Sequence, residues 1–498
     1  MSPTENLLLD APPPSSPVRP SFGRPAPGRD HRVMKAVTGA GLVGVWLLSG
    51  PLLGVGFVGV VLFGVVLLTA FQTVVLRLPV RSLLVRDTAS FARGWVGKVV
   101  VVATLFVVPV AMVLPSVAGG RYGRYADDSW KTLLMVVVLA ATYLLSRRLL
   151  VTVLVAAVTL GIASWVMSPA LADDRNGERT VLAHLDQQGG WGNLSGYHDV
   201  AVAEVDLDAA QPTQLAGIGA DGATVMEVGS MTKAMTGLVI ADAVRRGEIR
   251  MDAPVDTYLP QLKGSPAGSV TMHELVTHTS GYAEFGAETV RTAAWKAPLG
   301  QNFFTADSTQ LEREARDQSL DGRGRFAYST LGSAIAGQAV AAAAHMSYAD
   351  LMRTRLFEPL GMSHTAIQVG HPMVAAGTSQ SGLPVQPWVM DAYAPGAAAV
   401  STTTDLAKLA TALLDGTAPG MTALEPTTAT DQSNSRIGGF WVTSTWQTGQ
   451  TITHHAGQTS GYAAYLGLDR TGLKAVIVLS DIANDGSDLG TQLLADRS

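Results

Sequence analysis

The 498-residue chain contains no cysteine, which excludes disulfide bonds, thiolate nucleophiles and cysteine-ligated zinc or iron–sulfur centres. Charged residues are also scarce, at 15% against about 25% in an average soluble domain, while hydrophobic residues make up 47%. A formal net charge of −5 provides no basic field for a polyanionic partner, so the composition argues against nucleic-acid binding. It argues equally against one soluble globule and against a charge-rich disordered chain.

The apolar excess is concentrated in the first third of the chain. Residues 1–35 form a Pro- and Arg-rich tail that is predicted to be disordered. Residues 36–76 follow without a single charge, about twice the length that a membrane helix needs, and Ser49-Gly50-Pro51 divides them into two predicted spans. Three further apolar stretches cover 99–117, 132–146 and 149–167. Residues 36–168 are therefore predicted to form an all-α transmembrane bundle of about five helices.

Basic residues predict the orientation of this membrane region. With five spans, twelve Lys and Arg residues fall in the tail and the two loops on the same side, against three on the other side. Because cytoplasmic segments carry the excess of Lys and Arg, the tail is predicted to be cytoplasmic and the rest of the chain after the last span extracytoplasmic. A four-span alternative, with 36–76 as one helix, would move the basic tail outside. The predicted spans contain no acidic residue or histidine, so we interpret the region as an anchor rather than a transport path.

The composition changes after residue 168 to mixed polar and apolar residues with frequent Gly, Pro, Asp and Thr. We assign 169–179 to a linker and 180–498 to a domain long enough to bury its own core. The residue pattern predicts strands near both ends of this domain, at 199–207, 439–445 and 463–479, the last a hairpin that turns at 469–472. Helices are predicted between them, at 230–246, 331–345, 348–357 and 404–414. Strands from both ends around a helical middle predict an α+β fold.

A Ser-x-x-Lys motif opens the first of these helices. Ser230 lies at its first turn, in the positive end of the helix dipole, and Lys233 returns one turn later to the same face. The two side chains are then close enough to exchange a proton, as an activated serine nucleophile requires. Ser230 also fits a plain helix cap, and the motif alone arises often by chance, so its meaning depends on context.

Two further motifs provide that context. Tyr328-Ser329-Thr330 precedes a predicted helix, and His455-Ala456-Gly457 stands between two predicted strands near the end of the chain. The order of the three motifs resembles the serine β-lactamase and penicillin-binding-protein family, in particular its branch of class C β-lactamases, DD-peptidases and family esterases. Stretches 275–281, 357–362 and 401–406 agree with that family in order and spacing. The resemblance covers roughly residues 180–485.

The resemblance implies a fold and a set of roles. The fold is β-lactamase/transpeptidase-like, an antiparallel sheet flanked by helices with a helical subdomain. Ser230 is implied as the acylated nucleophile, and Lys233 and Tyr328 as the groups that take its proton and pass it to the leaving group. The backbone N–H groups of Ser230 and Gln458 are implied as the oxyanion hole, with Gln458 directly after Gly457. Water then hydrolyses the acyl-enzyme.

Two positions depart from the family pattern. Thr330 stands where the family usually has asparagine, so an amide that contacts substrate is missing; Thr330 either keeps a hydroxyl contact or serves the start of the helix. His455 replaces the lysine of true β-lactamases. An imidazole with an unperturbed pKa of about 6.5 is mostly neutral at pH 7, which predicts a preference for uncharged esters or amides over carboxylate-bearing β-lactams. The alternative is that His455 only fills space on its strand.

No metal site or cofactor is predicted. His273 and His278 resemble a zinc helix, but their i,i+5 spacing does not bring both imidazoles to one helical face. The sequence therefore predicts a bacterial, multi-pass membrane protein whose extracytoplasmic serine hydrolase domain acts on a small-molecule or peptide substrate. Esters, D-amino-acid or cell-wall-type amides and β-lactams all stay open as substrates. The alternative from another class is a receptor or membrane scaffold that stays acylated without turnover.

Overall fold

The computed structural model describes residues 171–188, 194, 196–379, 384–446, 449–484 and 486–495. The predicted cytoplasmic tail, 1–35, and the predicted membrane region, 36–168, lie outside these residues. Within the described part, no helix combines the length and the apolar character needed to cross a membrane. Residues 175–177, which fall inside the stretch assigned above to a linker, already form a strand of the sheet.

A nine-stranded antiparallel sheet lies at the centre of the described domain. In spatial order it consists of β1 (Arg175–Gly177), β3 (Thr213–Ile218), β2 (Val200–Asp206), β14 (Lys474–Ser480), β13 (Ala463–Asp469), β12 (Thr451–Gln458), β11 (Val442–Thr445), β10 (Ser435–Ile437) and β9 (Thr428–Ala429). β2 from the start of the domain pairs with β14 from its end over seven residues. The prediction that both ends of the domain contribute to one sheet is therefore confirmed.

Helices cover both faces of this sheet, which explains why its central strands are so apolar. Alternate residues of a strand point to opposite faces. In β2, Ala201 and Val205 accordingly belong to one hydrophobic core, whereas Val200 and Val202 belong to another. Every residue of β13 is buried, so no polar face is needed along it.

Ten α-helices are found in the described residues. They are α1 (Arg179–Gln188), α2 (Met231–Arg245), α3 (Met272–Val276), α4 (Ala287–Lys296), α5 (Ser308–Arg316), α6 (Thr330–Ala343), α7 (Tyr348–Met352), α8 (Ala394–Ala397), α9 (Thr403–Leu414) and α10 (Gly486–Ala495). A π-helical segment, Arg353–Phe357, continues α7. Short 3₁₀ turns occupy Val255–Thr257, Pro260–Leu262, Pro266–Ser269, Ala297–Leu299 and Met421–Leu424. The four predicted helices are all present. Three agree within two residues at each end, and the helix predicted at 348–357 corresponds to α7 together with the π-helical segment that continues it.

Two small sheets complete the described domain. One contains β4 (Met226–Glu227), β8 (Ala399–Ser401) and β5 (Ala366–Ile367), and the other contains β6 (Gly377–Thr378) and β7 (Pro384–Val385). β4 leads directly into α2, of whose 15 residues 12 are buried. Met231, Met235 and Leu238 pack in the core. Because α2 is enclosed on most sides, the position of its N-terminus is fixed by the core.

The strands near the end of the domain differ in two respects from the predicted ones. The strand predicted at 439–445 begins only at Val442, because Phe440 has a φ of 65°, a left-handed conformation that a strand does not accommodate. His455-Ala456-Gly457, which stands between two predicted strands in the sequence, lies on β12, a strand that the residue pattern did not identify. The alternation of β12 is masked by polar residues on both faces, including Thr453 and His454, so the strand lacks the apolar signal that identified its neighbours.

Candidate active site

Ser230 lies at the N-terminus of α2, after a turn that depends on glycine. Gly229 has a φ of 50°, and a Cβ at this position would lie 2.7 Å from the backbone N of Gln458. Ser230 already has helical backbone angles, and its side chain makes no capping hydrogen bond. The alternative that Ser230 is a plain helix cap therefore does not hold, and its hydroxyl is available to other partners.

The side chain of Lys233 lies beside this hydroxyl and is fully buried, with 0% of its surface exposed. Its Nζ donates hydrogen bonds to Ser230 Oγ at 3.0 Å and to the carbonyl oxygen of Gly396 at 2.8 Å. Burial lowers the pKa of Lys233 to about 7, although the charge of Glu284 opposes the shift. At neutral pH a large fraction of this amine is therefore unprotonated and can accept a proton.

Tyr328 completes the polar cluster. Its side chain lies near enough to Ser230 for the serine to oppose the rise of its pKa, and the Nζ of Lys233 lies 4.8 Å from the centroid of its ring. The residue as a whole is 37% exposed, but protein surrounds the hydroxyl closely enough that desolvation raises the pKa of Tyr328 above its usual value. The phenol is thus protonated at neutral pH and can donate a proton.

His455 is buried, with 7% of its surface exposed, and its Nδ1–H donates to the carbonyl oxygen of Ala456 at 2.6 Å. Because Nδ1 carries the proton, Nε2 is left as an acceptor. Burial lowers the pKa of His455 to about 3, with a further contribution from the charge of Lys233. The imidazole is therefore neutral across the physiological pH range, in agreement with the expectation from the sequence but with a far lower pKa than the unperturbed value assumed there.

Gly457 and Gln458 are held against the start of α2. A Cβ on Gly457 would lie only 1.9 Å from the carbonyl oxygen of Val228 and 3.0 Å from the backbone N of Met231. No other residue type fits there without moving β12 away from the serine. The side chain of Gln458 is directed elsewhere, because its Nε2 donates to the carbonyl oxygen of Ala483 at 2.8 Å. The part of Gln458 that faces the turn before Ser230 is its backbone, which lies against Gly229.

Thr330 is buried at the first position of α6. Its backbone N donates to the carbonyl oxygen of Glu284 at 2.9 Å, and its side-chain methyl group lies close to Gly396, whose carbonyl oxygen binds Lys233. The helix cap is not Thr330 but Ser329, whose Oγ accepts from the backbone N of Gly332 at 2.8 Å. Thr330 therefore contributes packing beside the lysine and one backbone contact to a neighbouring loop.

Three residues near the cluster were not identified from the sequence as functional. Gly396 contributes only a carbonyl oxygen, which leaves no side-chain signal. Glu284 interacts electrostatically with both Lys233 and Tyr328; desolvation raises the pKa of Glu284 and the charge of Lys233 opposes that rise. His278 was treated as part of a rejected zinc helix. Its φ is 55°, its ring centroid lies 4.6 Å from that of Tyr328, and burial lowers its pKa well below the usual value.

A second group of ionisable side chains forms at the start of β2 and the end of β14. His198 Nδ1 lies 2.9 Å from Asp481 Oδ2 and 3.2 Å from Asp199 Oδ1. These are donor types that metal ions use, but the three groups already satisfy one another as an ion-pair cluster. None of the three residues belongs to a motif singled out in the sequence.

Comparison with known proteins agrees with this architecture. The β-lactamase family model matches residues 187–496, more than half of the chain. The chain is similar to a β-lactamase of Escherichia coli (strain K12), with 29% identity over 147 residues, 29% of this chain and 36% of that protein. It is also similar to penicillin-binding protein 4* of Bacillus subtilis (strain 168), with 28% identity over 145 residues, 29% of this chain and 31% of that protein. The chain thus spans about a third of the length of these two relatives.

Solved structures share the fold over almost their whole length. A class C β-lactamase from Rhodobacter sphaeroides superimposes with a TM-score of 0.53 and 19% identity, covering 64% of this chain and 99% of that one. A β-lactamase/D-alanine carboxypeptidase from Pseudomonas syringae gives a TM-score of 0.53 and 16% identity, with coverage of 64% and 98%. At these identities the likeness concerns the fold alone. The family match and the fold together establish that this chain belongs to the β-lactamase family of serine hydrolases.

Proposed function

We propose that the protein is a membrane-anchored serine hydrolase that cleaves ester or amide bonds through an acyl-enzyme on Ser230. The observation that carries this proposal is the buried amine of Lys233, which lies 3.0 Å from Ser230 Oγ and has a pKa of about 7. A serine hydroxyl is a weak nucleophile unless a neighbouring base removes its proton. Burial supplies that base here, because it disfavours the charged form of the lysine.

The pKa of Lys233 is lowered and that of Tyr328 is raised, so the first group serves as the base and the second as the acid. Lys233 accepts the proton as Ser230 Oγ attacks the carbonyl carbon of the substrate. Tyr328, whose pKa is raised, stays a phenol and donates a proton as the bond to the leaving group breaks. Lys233 then returns its proton to Tyr328. In the second half, Lys233 takes a proton from the water molecule that attacks the acyl group. The ester bond to Ser230 then breaks, the carboxylic acid leaves, and Lys233 returns the proton to Ser230 Oγ.

The negative charge that develops on the substrate oxygen is stabilised by backbone N–H groups of Ser230 and Gln458. The close approach that Gly229 and Gly457 permit supports this assignment, since it brings the two backbone segments together. Preorganised donors of this kind contribute about 10²–10³-fold in rate.

Substrates without a free carboxylate fit the site best. In relatives with lysine in place of His455, a fixed positive charge beside the serine favours carboxylate-bearing substrates. His455 is neutral at physiological pH and provides no such charge. Esters and amides, including D-amino-acid amides, are therefore the proposed substrates ahead of β-lactams.

Labelling of the purified full-length protein tests the function. A fluorescent phosphonate that reacts with activated serines is expected to label wild type and to leave Ser230→Ala unlabelled. Ser319→Ala, which removes an exposed serine, is the matched control and keeps full labelling. Labelling of Ser230→Ala at the wild-type level would contradict the assignment of the nucleophile.

Intact mass after addition of a neutral ester separates a hydrolase from a receptor. A hydrolase returns to its unmodified mass within the assay, whereas a receptor stays acylated. A fluorescent penicillin, added in parallel, is expected to label more slowly than the phosphonate. A lasting acyl adduct with no released acid would favour the receptor.

The proposed location is the bacterial cell membrane, with the catalytic domain outside the cytoplasm. The support is the excess of Lys and Arg on one side of five apolar segments. A reporter that is active only outside the cytoplasm is expected to be active when fused after Ser498 and silent when fused after Arg86. Activity of the Arg86 fusion would contradict the five-span topology.

A further inference from the structure

We propose that Glu284 binds a positively charged amino group of the substrate, so that the preferred substrates are esters or amides whose acyl part carries a free amine. This inference rests on the hydrolase function proposed above and specifies its substrate class. It starts from an exposed residue whose backbone is hydrogen-bonded to the segment that follows Tyr328 and whose carboxyl group interacts electrostatically with Lys233 and Tyr328.

The backbone around Glu284 is held firmly against the segment that contains Tyr328. The carbonyl oxygen of Glu284 accepts hydrogen bonds from the backbone N atoms of Thr330 and Leu331, both at 2.9 Å. The carbonyl oxygen of Ala283 accepts from Ser329 Oγ at 2.6 Å. The backbone of Glu284 is therefore positioned by the three residues that directly follow Tyr328.

Two neighbouring contacts anchor the other side of the same loop. The backbone N of Ala283 donates to Gln318 Oε1 at 2.9 Å, and the backbone N of Gly286 donates to the hydroxyl of Tyr393 at 3.1 Å. Tyr393 in turn donates to the buried carboxylate of Glu314 at 2.6 Å. Loop 283–286 is thus fixed at both ends, as a binding group for a specific substrate atom must be.

The charges at the site leave Glu284 without a permanent counter-charge. His278 and His455, which both interact electrostatically with Lys233, are held neutral by burial. Lys233 must itself be neutral to accept the proton of Ser230. In the reactive state, therefore, the carboxyl group of Glu284 interacts with a neutral Lys233 and a neutral Tyr328 rather than with a cation. An ammonium group on the substrate neutralises the charge of the Glu284 carboxylate, whereas a substrate carboxylate adds a second negative charge.

The same arrangement couples the substrate charge to the catalytic base. A cation near Lys233 disfavours protonation of the amine and keeps it able to act as a base. An anion near Lys233 favours protonation and removes the base. Glu284 thus holds the ammonium group in the place where its charge also assists the proton transfer.

A series of alanine thiobenzyl esters tests the proposal. The free-amine ester is cationic at pH 7, the N-acetyl ester is neutral and the N-succinyl ester is anionic; D and L forms of each are used. Released thiol is measured with a chromogenic thiol reagent, which does not react with the protein because the chain has no cysteine. For wild type, kcat/KM is expected to be highest for the free-amine ester and lowest for the N-succinyl ester.

Variants at Glu284 are expected to change this order. Glu284→Gln should lower the ratio of kcat/KM for the free-amine ester to that for the N-acetyl ester by about tenfold, since a charged hydrogen bond is replaced by a neutral one. Glu284→Lys should make the N-succinyl ester the better substrate of the two charged forms. The matched control is Glu288→Gln, which removes a carboxylate four residues away that pairs with Arg313, and it keeps the wild-type ratio.

The pH dependence of kcat/KM distinguishes an electrostatic role of Glu284 from a purely structural one. Glu284 opposes the lowering of the pKa of Lys233, so Glu284→Gln should lower that pKa further. Because activity needs the neutral amine, the acid limb of kcat/KM for the N-acetyl ester then shifts to lower pH. An unchanged substrate ratio in Glu284→Gln, with wild type active on the N-acetyl ester, overturns this inference and leaves the hydrolase function intact. Failure of wild type to cleave any of the esters overturns both.

Discussion

Two clusters of ionisable side chains lie at the same end of the central sheet, and they behave in opposite ways. Ser230, Lys233 and His455 gather where β12 ends, near Gln458. His198 and Asp481 gather where β2 begins and β14 ends. Gln458, Ser480 and Val200 belong to one row of paired residues across the sheet, so the two clusters lie at the same end of it. In the first cluster the pKa of Lys233 and that of His455 fall to about 7 and about 3 because both groups are desolvated.

In the second cluster the balance of forces is reversed. Burial would lower the pKa of His198, but the hydrogen bond and the charge of Asp481, together with the charge of Asp199, outweigh it and raise the pKa. The side chain of His198 is 48% exposed, so water supports the charged form as well. At the surface, neighbouring carboxylates stabilise the charged histidine, and the groups form an ion pair. In the enclosed cluster, desolvation disfavours the charged lysine, and the neutral amine can act as a base. A cluster of titratable residues in a sequence does not reveal which of the two will form.

The largest expected effect comes from removing the enclosed base. Lys233→Ala should lower the rate of acylation by about 10²–10⁴-fold, the usual contribution of a general base. Lys233→Arg should not restore it, because a guanidinium group stays protonated in a protein. The measurement is the second-order rate of phosphonate labelling, with Tm as the check on folding. A rate within a few-fold of wild type in both variants would contradict the role of Lys233.

The next effect concerns the glycine that lets β12 approach the serine. Gly457→Ala places a Cβ 1.9 Å from the carbonyl oxygen of Val228, so strand and helix must separate. Loss of the aligned N–H of Gln458 is expected to lower kcat/KM by about 10²–10³-fold. Gly486→Ala is the control, since the nearest atoms to its Cβ lie 3.7 Å away. Equal activity in both variants would show that the approach of β12 is not needed.

The residues of the proposed active site differ in how well the sequence predicts them. Ser230 and Lys233 are separated by one helical turn, so their spacing predicts their contact, and the helix and the two-ended sheet follow from periodicity alone. The shift of the lysine pKa could not be predicted, because it depends on enclosure by segments far away in the chain. Gly396 acts through a carbonyl oxygen and Glu284 through a loop fixed by tertiary hydrogen bonds, and neither leaves a pattern in the sequence. β12 was missed as a strand for a related reason, since its polar residues hide the alternation.

A smaller effect is expected from changing the charge of the enclosed cluster. His455→Lys introduces a cationic group where burial now keeps the imidazole neutral. The ratio of kcat/KM for a chromogenic cephalosporin to that for a neutral p-nitrophenyl ester should rise by about tenfold. Lowering the pH does not reproduce this change in wild type, because the pKa of His455, at about 3, lies below the working range. A wild-type protein that already prefers the cephalosporin would contradict the specificity argument and leave the nucleophile in place.

The smallest effect is expected in the exposed cluster. His198→Ala should change the free energy of unfolding by about 1 kcal/mol or less and leave labelling of Ser230 unchanged. Because the folded pKa of His198 is raised above its unfolded value, its contribution is fully present below a pH of about 6.5 and is lost as the pH rises through the folded pKa. Denaturant melts of wild type and variant at a series of pH values measure this. A stability difference that grew with pH would contradict the assigned direction.

The most direct test of the enclosed base is the pH dependence of Ser230 labelling by the phosphonate. If neutral Lys233 accepts the serine proton, the rate rises with pH through a midpoint near the pKa of Lys233, about 7. The same midpoint is expected in His455→Gln, which shows that the imidazole is not the titrating group. A midpoint that disappears in His455→Gln, or a rate in wild type that still rises steeply towards the ordinary lysine pKa of about 10.4, would contradict the account.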